Sequence, residues 1–418
     1  MTRPREQREF FAVRTVAEAL SGFRPARRTV TETVSLDAAL GRVPAVSIRA
    51  RDPLPGFARA TVDGFAVRAA DTYGVSDGQP GYLDLAGEAR MGHPPDAALR
   101  PGAAIAIATG APLPPGADAV VKVEHTQSTL PGLIEVVRPA RPGEGMVRAD
   151  EDAAADAELA RPGRPLRAAE LGMLAAAGVT EVLVHARPRV AIVSTGDELV
   201  PRETAALEVG QVRDATAPAL AALVREAGGE PTFTGIVPDD RAALEATLRR
   251  ALAGSDAAGD CDLLVVSAGS SVGARDETAS AIASLGEPGI WCHGLALRPG
   301  KPTLLADCGG VPVVGLPGNP RSALVVFRLV GMPFVRLVGG CTEGPPDPTV
   351  RARLGRDLPS AAGRLDVVQV TLAGEVVTPL FGSSALLSIL TRADGYLIVP
   401  EPATGLPAGT EVEVTLYR

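Results

Sequence analysis

Two stretches of this chain have the composition of anion-binding turns. Ser194-Thr195-Gly196-Asp197-Glu198 follows one apolar run, and Ser267-Ala268-Gly269-Ser270-Ser271-Val272-Gly273 follows another. Small residues and hydroxyls between a strand and a helix let backbone amides approach a phosphate or similar anion. Glu198 lies within the first turn and Asp276 just beyond the second. Two carboxylates reaching one such cleft make chemical sense if a divalent cation mediates between them and phosphate oxygens. The bland alternative is that Asp197 and Asp276 only cap helices. Arg298-Pro299-Gly300-Lys301-Pro302 is a different device. Its prolines and glycine fix a tight, non-helical turn, so two cations project from a rigid loop and suit an oxyanion such as phosphate or molybdate. Leu316-Pro317-Gly318-Asn319-Pro320 is a third stiff loop, and all three are expected at one edge of a sheet. Taken blandly, the last two are a solvated loop and a plain strand-to-helix turn. Of 41 basic residues only Lys122 and Lys301 are lysines, so Lys301 marks a place where a compact ammonium matters.

The elements that must hold these loops are legible around them. Arg189–Val193, Asp262–Val266 and Val311–Val314 are continuous apolar runs, and helical patterns span Pro218–Ala227 and Arg241–Ala253, the latter behind Asp239 and Asp240 as caps. Strands alternating with helices predict a parallel, doubly wound α/β domain over 188–338, with ligands at the carboxyl ends of its strands. Residues 1–50 carry helical patterns at Val13, Val16, Ala17 and Leu20 and at Ser35–Leu40. A helix over Ala168–Ala177 and a strand over Glu181–His185 follow later. Short apolar runs at Tyr82–Ala86, Ala103–Ala108, Ala119–Val123 and Leu133–Val137 predict a small β domain over 51–139, inserted in an N-terminal α+β unit made of 1–50 and 140–187. Asp366–Leu372, Tyr396–Val399 and Glu411–Leu416 predict a C-terminal β-barrel or sandwich over 345–418.

Bulk properties narrow the function classes. The chain has 418 residues, too many for one hydrophobic core, and 46% hydrophobic with 22% charged residues is ordinary for a globular protein. No apolar run approaches the length of a membrane span, and the N-terminus has no secretory pattern. Cys261, Cys292, Cys308 and Cys341 form no CxxC, which argues against a zinc or disulfide framework and fits the cytoplasm. A net charge of −8 argues against nucleic acid but permits a small anion on a local basic cluster.

Thr61-Val62-Asp63-Gly64-Phe65-Ala66, Ala108-Thr109-Gly110-Ala111-Pro112 and the acidic Glu151-Asp152 are individually weak signals. Their order along the chain is another matter. TVDGFAVR, ATGAPLPPGADAVV, VRADED, STGDELV, VRDAT, SAGSSVGARD, RPGKPT, LPGNPRSA and GRLD, running from Thr61 to Asp366, resemble the motif series of the MoeA / gephyrin E-domain family. The resemblance implies four domains, including a MogA-like α/β domain related to molybdopterin-adenylylating proteins, and a homodimer with its active cleft between subunits. It also implies a reaction, in which adenylylated molybdopterin and molybdate give molybdenum cofactor, AMP and water with Mg²⁺.

Carried over by position, the resemblance implies catalytic roles for Asp63, Asp152, Glu198 and Asp276. Glu198 and Asp276 would meet the metal, and Asp63 and Asp152 the partner subunit's cleft. Arg298, Lys301, Arg364 and Ser384 are expected on molybdate. Thr109, Pro317 and Pro320 complete the family positions, and the two turns add Ser194, Thr195, Gly196, Gly269 and Ser271 as substrate contacts. Molybdopterin adenylyltransferase and recipient molybdoenzymes are the protein partners implied. Asp150 stands where the family usually has Gly, Ala215-Thr216 where it has Ser-Asn, and Arg298 where it has Lys. Ala268 and Ser270 replace a Gly and an apolar residue. The alternatives are adenylylation of molybdopterin, a non-catalytic cofactor-binding scaffold, and tungstate in place of molybdate.

Overall fold

A computed structural model describes residues 13–253, 261–268 and 272–417, giving the backbone alone for 128–129 and 272–276. At its centre are strand β1 (Arg189–Thr195), helix α1 (Thr216–Glu226), β2 (Glu230–Val237), α2 (Arg241–Ala253), β3 (Leu263–Ser267), α3 (Val272–Ala283), β4 (Pro288–His293), β5 (Leu304–Cys308), β6 (Val311–Leu316) and α4 (Pro320–Val326). The strands form one sheet in the order β2-β1-β3-β6-β5-β4. The first four are parallel, and β5 and β4 complete an antiparallel edge.

The unbroken apolar runs have a simple cause: both faces of the sheet are covered. Val190, Ile192, Leu263, Val265, Val314 and Leu316 pack on one side with Leu220 and Val224 of α1 and Ala323 and Val326 of α4. Ala191, Val193, Leu264, Val266 and Val313 pack on the other with Leu244 and Leu248 of α2 and Ile282 of α3. This is the doubly wound arrangement expected. The chain leaves β1 for β2 on one side and reaches β3 on the other, so a crevice opens beyond the ends of β1 and β3. Ser194 and Ser267 face each other there in register.

Five strands, Thr349–Leu354, Leu365–Ala373, Val376–Pro379, Gly395–Val399 and Glu411–Leu416, close into a C-terminal barrel around Leu354, Val370, Val377, Leu397 and Val414. A two-residue strand from the α/β domain, Leu297–Arg298, adds to it in parallel, with Leu297 opposite Leu365 and Arg298 opposite Asp366. Towards the N-terminus, Thr31–Ser35 pairs with Glu181–His185 and Ile48–Arg49 with Glu158–Ala160, over a core of Leu166, Leu174, Val182 and Val184. Between these halves a six-stranded sheet is inserted, in the order Ala119–Lys122, Gly64–Val67, Ala103–Ile107, Gly81–Ala89, Leu133–Val136, Thr126–Leu130.

Two expectations of the N-terminal stretch are corrected. Helix Val16–Gly22, opened by a capping box between Thr15 and Glu18, buries Val16 and Ala19 rather than the stripe of Val13, Ala17 and Leu20. Together with Phe23 it packs into the α/β core, where Phe23 lies 5.3 Å from Phe334 and 5.8 Å from Trp291. A seven-residue helix has little apolar surface of its own, and this aromatic cluster supplies the burial that holds it. Ser35–Leu40 is no α-helix either. Only Leu36–Ala38 makes a 3₁₀ turn, because Gly41 at φ +73° reverses the chain before an α-helix can nucleate.

Candidate functional site: a cationic cavity between two domains

The loop after Leu297 is rigid for a packing reason. Gly300 sits at φ +128°, and a Cβ there would lie 2.4 Å from Cγ2 of Val326, so only glycine lets the turn press against α4. The Lys301 carbonyl accepts from the amides of Leu295 and Thr303, and the Thr303 hydroxyl donates to the Gly300 carbonyl at 2.6 Å. Facing this turn, Asn319 caps α4 through its carbonyl alone, and Pro320 occupies the first helical position. Pro320 thus starts the helix, while Pro317 and Asn319 face open space.

That space is a cavity of about 700 Å³. Arg298, Lys301 and Pro317 of the α/β domain line it with Arg364 and Ser384 of the barrel, five of the residues picked out from the sequence. Arg321 lines it as well. Among the described residues no carboxylate lines it. Asp366, 4% exposed, accepts from Arg364 Nε at 2.9 Å and from the Ser360 hydroxyl at 2.9 Å. Its Oδ2 lies 3.7 Å from Nη1 of the exposed Arg298. One buried carboxylate therefore orients guanidiniums from two domains. Arg321 donates from Nη1 to the Gly382 carbonyl at 3.1 Å and from its amide to the Ser384 carbonyl at 3.2 Å. Burial, and then the charge of Arg298, hold the Arg321 guanidinium below its ordinary pKa. A pocket of about 90 Å³, lined by Ala268, His293, Pro302, Pro317 and Asn319, shares its wall with the cavity.

The turn after β1 is tied down through its own hydroxyls. Ser194 donates to Asp214 Oδ2 at 2.6 Å and Thr195 to Asp239 Oδ1 at 2.9 Å. The other oxygen of Asp214 accepts from the amides of Thr216 and Ala217 and so caps α1, which explains how Ala215 is tolerated beside it. Gly196 lines a separate cavity of about 960 Å³ with Asp197 and Asp214. The loops expected at one edge of the sheet do not share one cavity: the Arg298–Pro302 and Leu316–Pro320 loops line the cationic one, and the Ser194–Glu198 turn opens on another. Strand spacing accounts for this, since β3 stands between β1 and β6. Glu198 is exposed and folds back over Gly196, where a Cβ would meet its Oε2 at 2.7 Å. Gly269, Ser271 and the side chain of Asp276 lie outside the described residues. Among those described, no three His, Cys, Asp or Glu side chains converge as a metal cluster.

Asp63 and Thr109 meet in the inserted sheet. Thr109 donates to Asp63 Oδ1 from its amide at 2.8 Å and its hydroxyl at 3.0 Å, and the two bonds, the backbone one first, hold the Asp63 carboxyl below the usual range. Gly64 follows because a Cβ there would lie 1.9 Å from the Val121 carbonyl oxygen. Asp152 is exposed on a turn whose amide donates to the Leu54 carbonyl at 3.0 Å. None of these three residues lines the cationic cavity of its own chain. All four cysteines are buried, and burial pushes the Cys292 and Cys308 thiols up to about 11, which leaves them inert.

Sequence reasoning passed over Arg321, Asn319 and Asp366. Arg321 and Asn319 were visible within the Leu316–Ala323 motif, but only the barrel's approach gives the arginine a role.

Comparison with known proteins agrees with this architecture. Residues 14–178 match the model of the MoeA N-terminal region (domain I and II), 191–337 a probable molybdopterin binding domain, and 351–417 the MoeA C-terminal region (domain IV). Molybdopterin molybdenumtransferase 2 of Mycobacterium tuberculosis is 35% identical over 408 residues, 96% of this chain and 97% of that protein. The molybdopterin molybdenumtransferase of a Nostoc species is 35% identical over 92% of this chain and 88% of its own. A crystal structure of the molybdopterin biosynthesis MoeA protein from Pyrococcus horikoshii OT3 superposes with a TM-score of 0.82 at 29% identity, covering 97% of this chain and all of that one. The chain belongs to the molybdopterin molybdenumtransferase (MoeA) family of enzymes.

Proposed function

We propose that this enzyme inserts molybdenum into molybdopterin, taking adenylylated molybdopterin and molybdate as substrates and releasing AMP and water. The observation that carries the reading is the cavity between α/β domain and barrel, lined by Arg298, Lys301, Arg321 and Arg364 and by no carboxylate among the described residues. A tetrahedral dianion fits such a wall, because fixed guanidiniums offer paired N–H donors and a lysine adds a point charge. Arg298, Lys301, Arg364 and Ser384 hold molybdate in this reading, and Pro317 and the pocket beside Ala268 flank the pterin. Ser194, Thr195, Gly196, Gly269 and Ser271 form the turns that receive the nucleotide phosphates at the switch point.

A divalent cation fits the donor set at the first turn. Glu198 is an exposed carboxylate held over a glycine that a Cβ would fill, and a hydrated Mg²⁺ asks for only one or two protein oxygens. Glu198, with Asp276, would hold Mg²⁺, which supplies charge neutralisation on the phosphoanhydride. The protein's own share is positioning: rigid turns align the anions, and fixed cations lower their mutual repulsion. Asp63 and Thr109 adjoin the inserted sheet and Asp152 follows it in the N-terminal unit, and a homodimer in which they reach the partner's cleft unites the expected set.

The test is AMP release from adenylylated molybdopterin on titration with molybdate in Mg²⁺. Lys301→Ala is expected to raise the molybdate concentration for half-maximal rate, and Glu198→Ala or Asp276→Ala to abolish release with the fold intact. Consumption of ATP with unadenylylated molybdopterin would favour adenylylation instead. Cofactor binding without AMP release would favour a scaffold, and equal response to tungstate would broaden the metal donor. Mixing an Asp63→Ala chain with a Lys301→Ala chain tests the shared cleft: restored activity supports it, and none rejects it.

A further inference from the structure

We propose that Arg321 is a substrate-binding residue that, with Arg298 and Arg364, takes the tetrahedral oxyanion; the inference rests on reading the cavity as the molybdate site.

Three observations point to it. The first is an unmade bond. Arg321 Nε is buried and has no hydrogen-bond partner among the described residues, although Nη1 of the same side chain reaches the Gly382 carbonyl. Leaving a buried donor of a charged group unsatisfied is costly, so a well-packed chain that retains one calls for an explanation. An anion seated in the cavity that Arg321 lines supplies the acceptor.

The second is charge. Arg298, Arg321 and Arg364 bring three positive charges to one cavity wall, and Asp366, bound to Arg364 and facing Arg298, returns one negative charge. Among the described residues no carboxylate lines the cavity. The arginines are left with an excess of two positive charges, to which Lys301 on the same wall adds, and a dianion such as molybdate offsets that excess. The pKa of Arg321 is depressed first by burial and only second by the charge of Arg298, and this second cause is the crowding of cations seen at one residue.

The third is how the side chain is held. Arg321 belongs to the first turn of α4, and the barrel fixes it from outside through Gly382 and Ser384. Its guanidinium is therefore pre-set before any ligand arrives, and little side-chain entropy is lost on binding. A residue that merely pinned the barrel would need the Gly382 contact and no anion.

The experiment uses the full chain and molybdate as the probe, with affinity from titration calorimetry and thermal melting beside it. Arg321→Met is expected to weaken molybdate at least tenfold and to raise its KM in AMP release by a similar factor. Its melting point without molybdate should stay level or rise, because a charged side chain with a buried, unpartnered Nε is gone. Arg321→Lys keeps the charge but loses the planar fork, and a loss between parent and Met variant is expected. Affinity and KM within twofold of the parent in Arg321→Met overturn the proposal; if that variant does not fold, parental affinity in Arg321→Lys does so. Molybdate-dependent AMP release in the parent with unchanged KM in the variants sinks this inference alone. Absence of any molybdate dependence in the parent sinks the underlying reading, and direct binding still decides the role of Arg321.

Discussion

Arg298 and Asp366 stand opposite each other in a two-residue parallel ladder that joins the α/β domain to the barrel, and the same aspartate binds Arg364 at 2.9 Å. Backbone pairing and charge thus act at one place. The barrel cannot shift along this ladder without carrying Arg364 and Ser384 away from Lys301.

Asp366→Asn follows directly from that arrangement. It keeps shape but removes the charge on which both arginines lean, so the molybdate KM should rise about tenfold while kcat changes little. The stability loss should be modest, about 1–3 kcal/mol, because the aspartate is buried but Arg298 is largely exposed. Steady-state AMP release across a molybdate titration measures the first and urea denaturation the second. An Asp366→Glu variant that restores KM supports positioning rather than loss of fold.

The Asp63 carboxyl should titrate below an unfolded aspartate, about 3.9, since Thr109 donates two bonds to its ionised form. With the folded value depressed, the stabilisation is complete above the unfolded value and disappears as pH falls through the folded one. It is therefore constant across neutral pH and vanishes only in acid. Thr109→Val removes the hydroxyl but keeps the amide, so carboxyl NMR should show the Asp63 pKa moving part of the way back up. An unmoved pKa would mean the hydroxyl bond contributes nothing.

Much of this was readable from the residues, for identifiable reasons. Strands covered on both faces write themselves as unbroken apolar runs, and β1, β3 and β6 appear at Arg189–Thr195, Leu263–Ser267 and Val311–Leu316, with their last one or two residues missed and β3 started one residue early at Asp262. The Arg298–Pro302 turn was legible because proline and glycine carry their geometry locally. Arg321 was not, since arginine is the ordinary cation of this chain and its unmade bond depends on a barrel that begins beyond residue 345. The buried face of the first helix was misread for a similar reason: Phe23, which ends that helix, packs on Trp291 and Phe334, hundreds of residues away. That the Ser194 and Thr195 hydroxyls turn inward depends on Asp214 and Asp239, 20 and 44 residues further along the chain and so beyond the turn's own local pattern.

Asp150 explains one departure from its family. The backbone there is left-handed, φ 63°, where glycine costs nothing and aspartate is among the few other residues tolerated. Asp150→Gly should be neutral or stabilising by up to about 1 kcal/mol, and Asp150→Val should destabilise by about 1–2 kcal/mol. Chemical denaturation of the two variants measures both. Equal stability of all three proteins would show that the turn relaxes instead.

Asp214 poses the sharpest choice between structure and substrate for the turn after β1. Its carboxylate is 6% exposed, caps α1 through two amides, and accepts the hydroxyl of Ser194, itself 1% exposed. Removing it as Asp214→Ala should cost about 1 kcal/mol for the lost cap. The orphaned, buried serine hydroxyl adds about 1–3 kcal/mol more. Ser194→Ala removes only the serine's half of that pair, so it should cost about 1 kcal/mol of stability, since the carboxylate keeps its two amide donors. If the hydroxyl is wholly committed to Asp214, the same variant should bind adenylylated molybdopterin as the parent does. A loss of substrate affinity larger than the loss of stability would instead mean that Ser194 turns from Asp214 to the phosphates on binding, exchanging its bond to the carboxylate for a substrate contact while the helix cap stays in place.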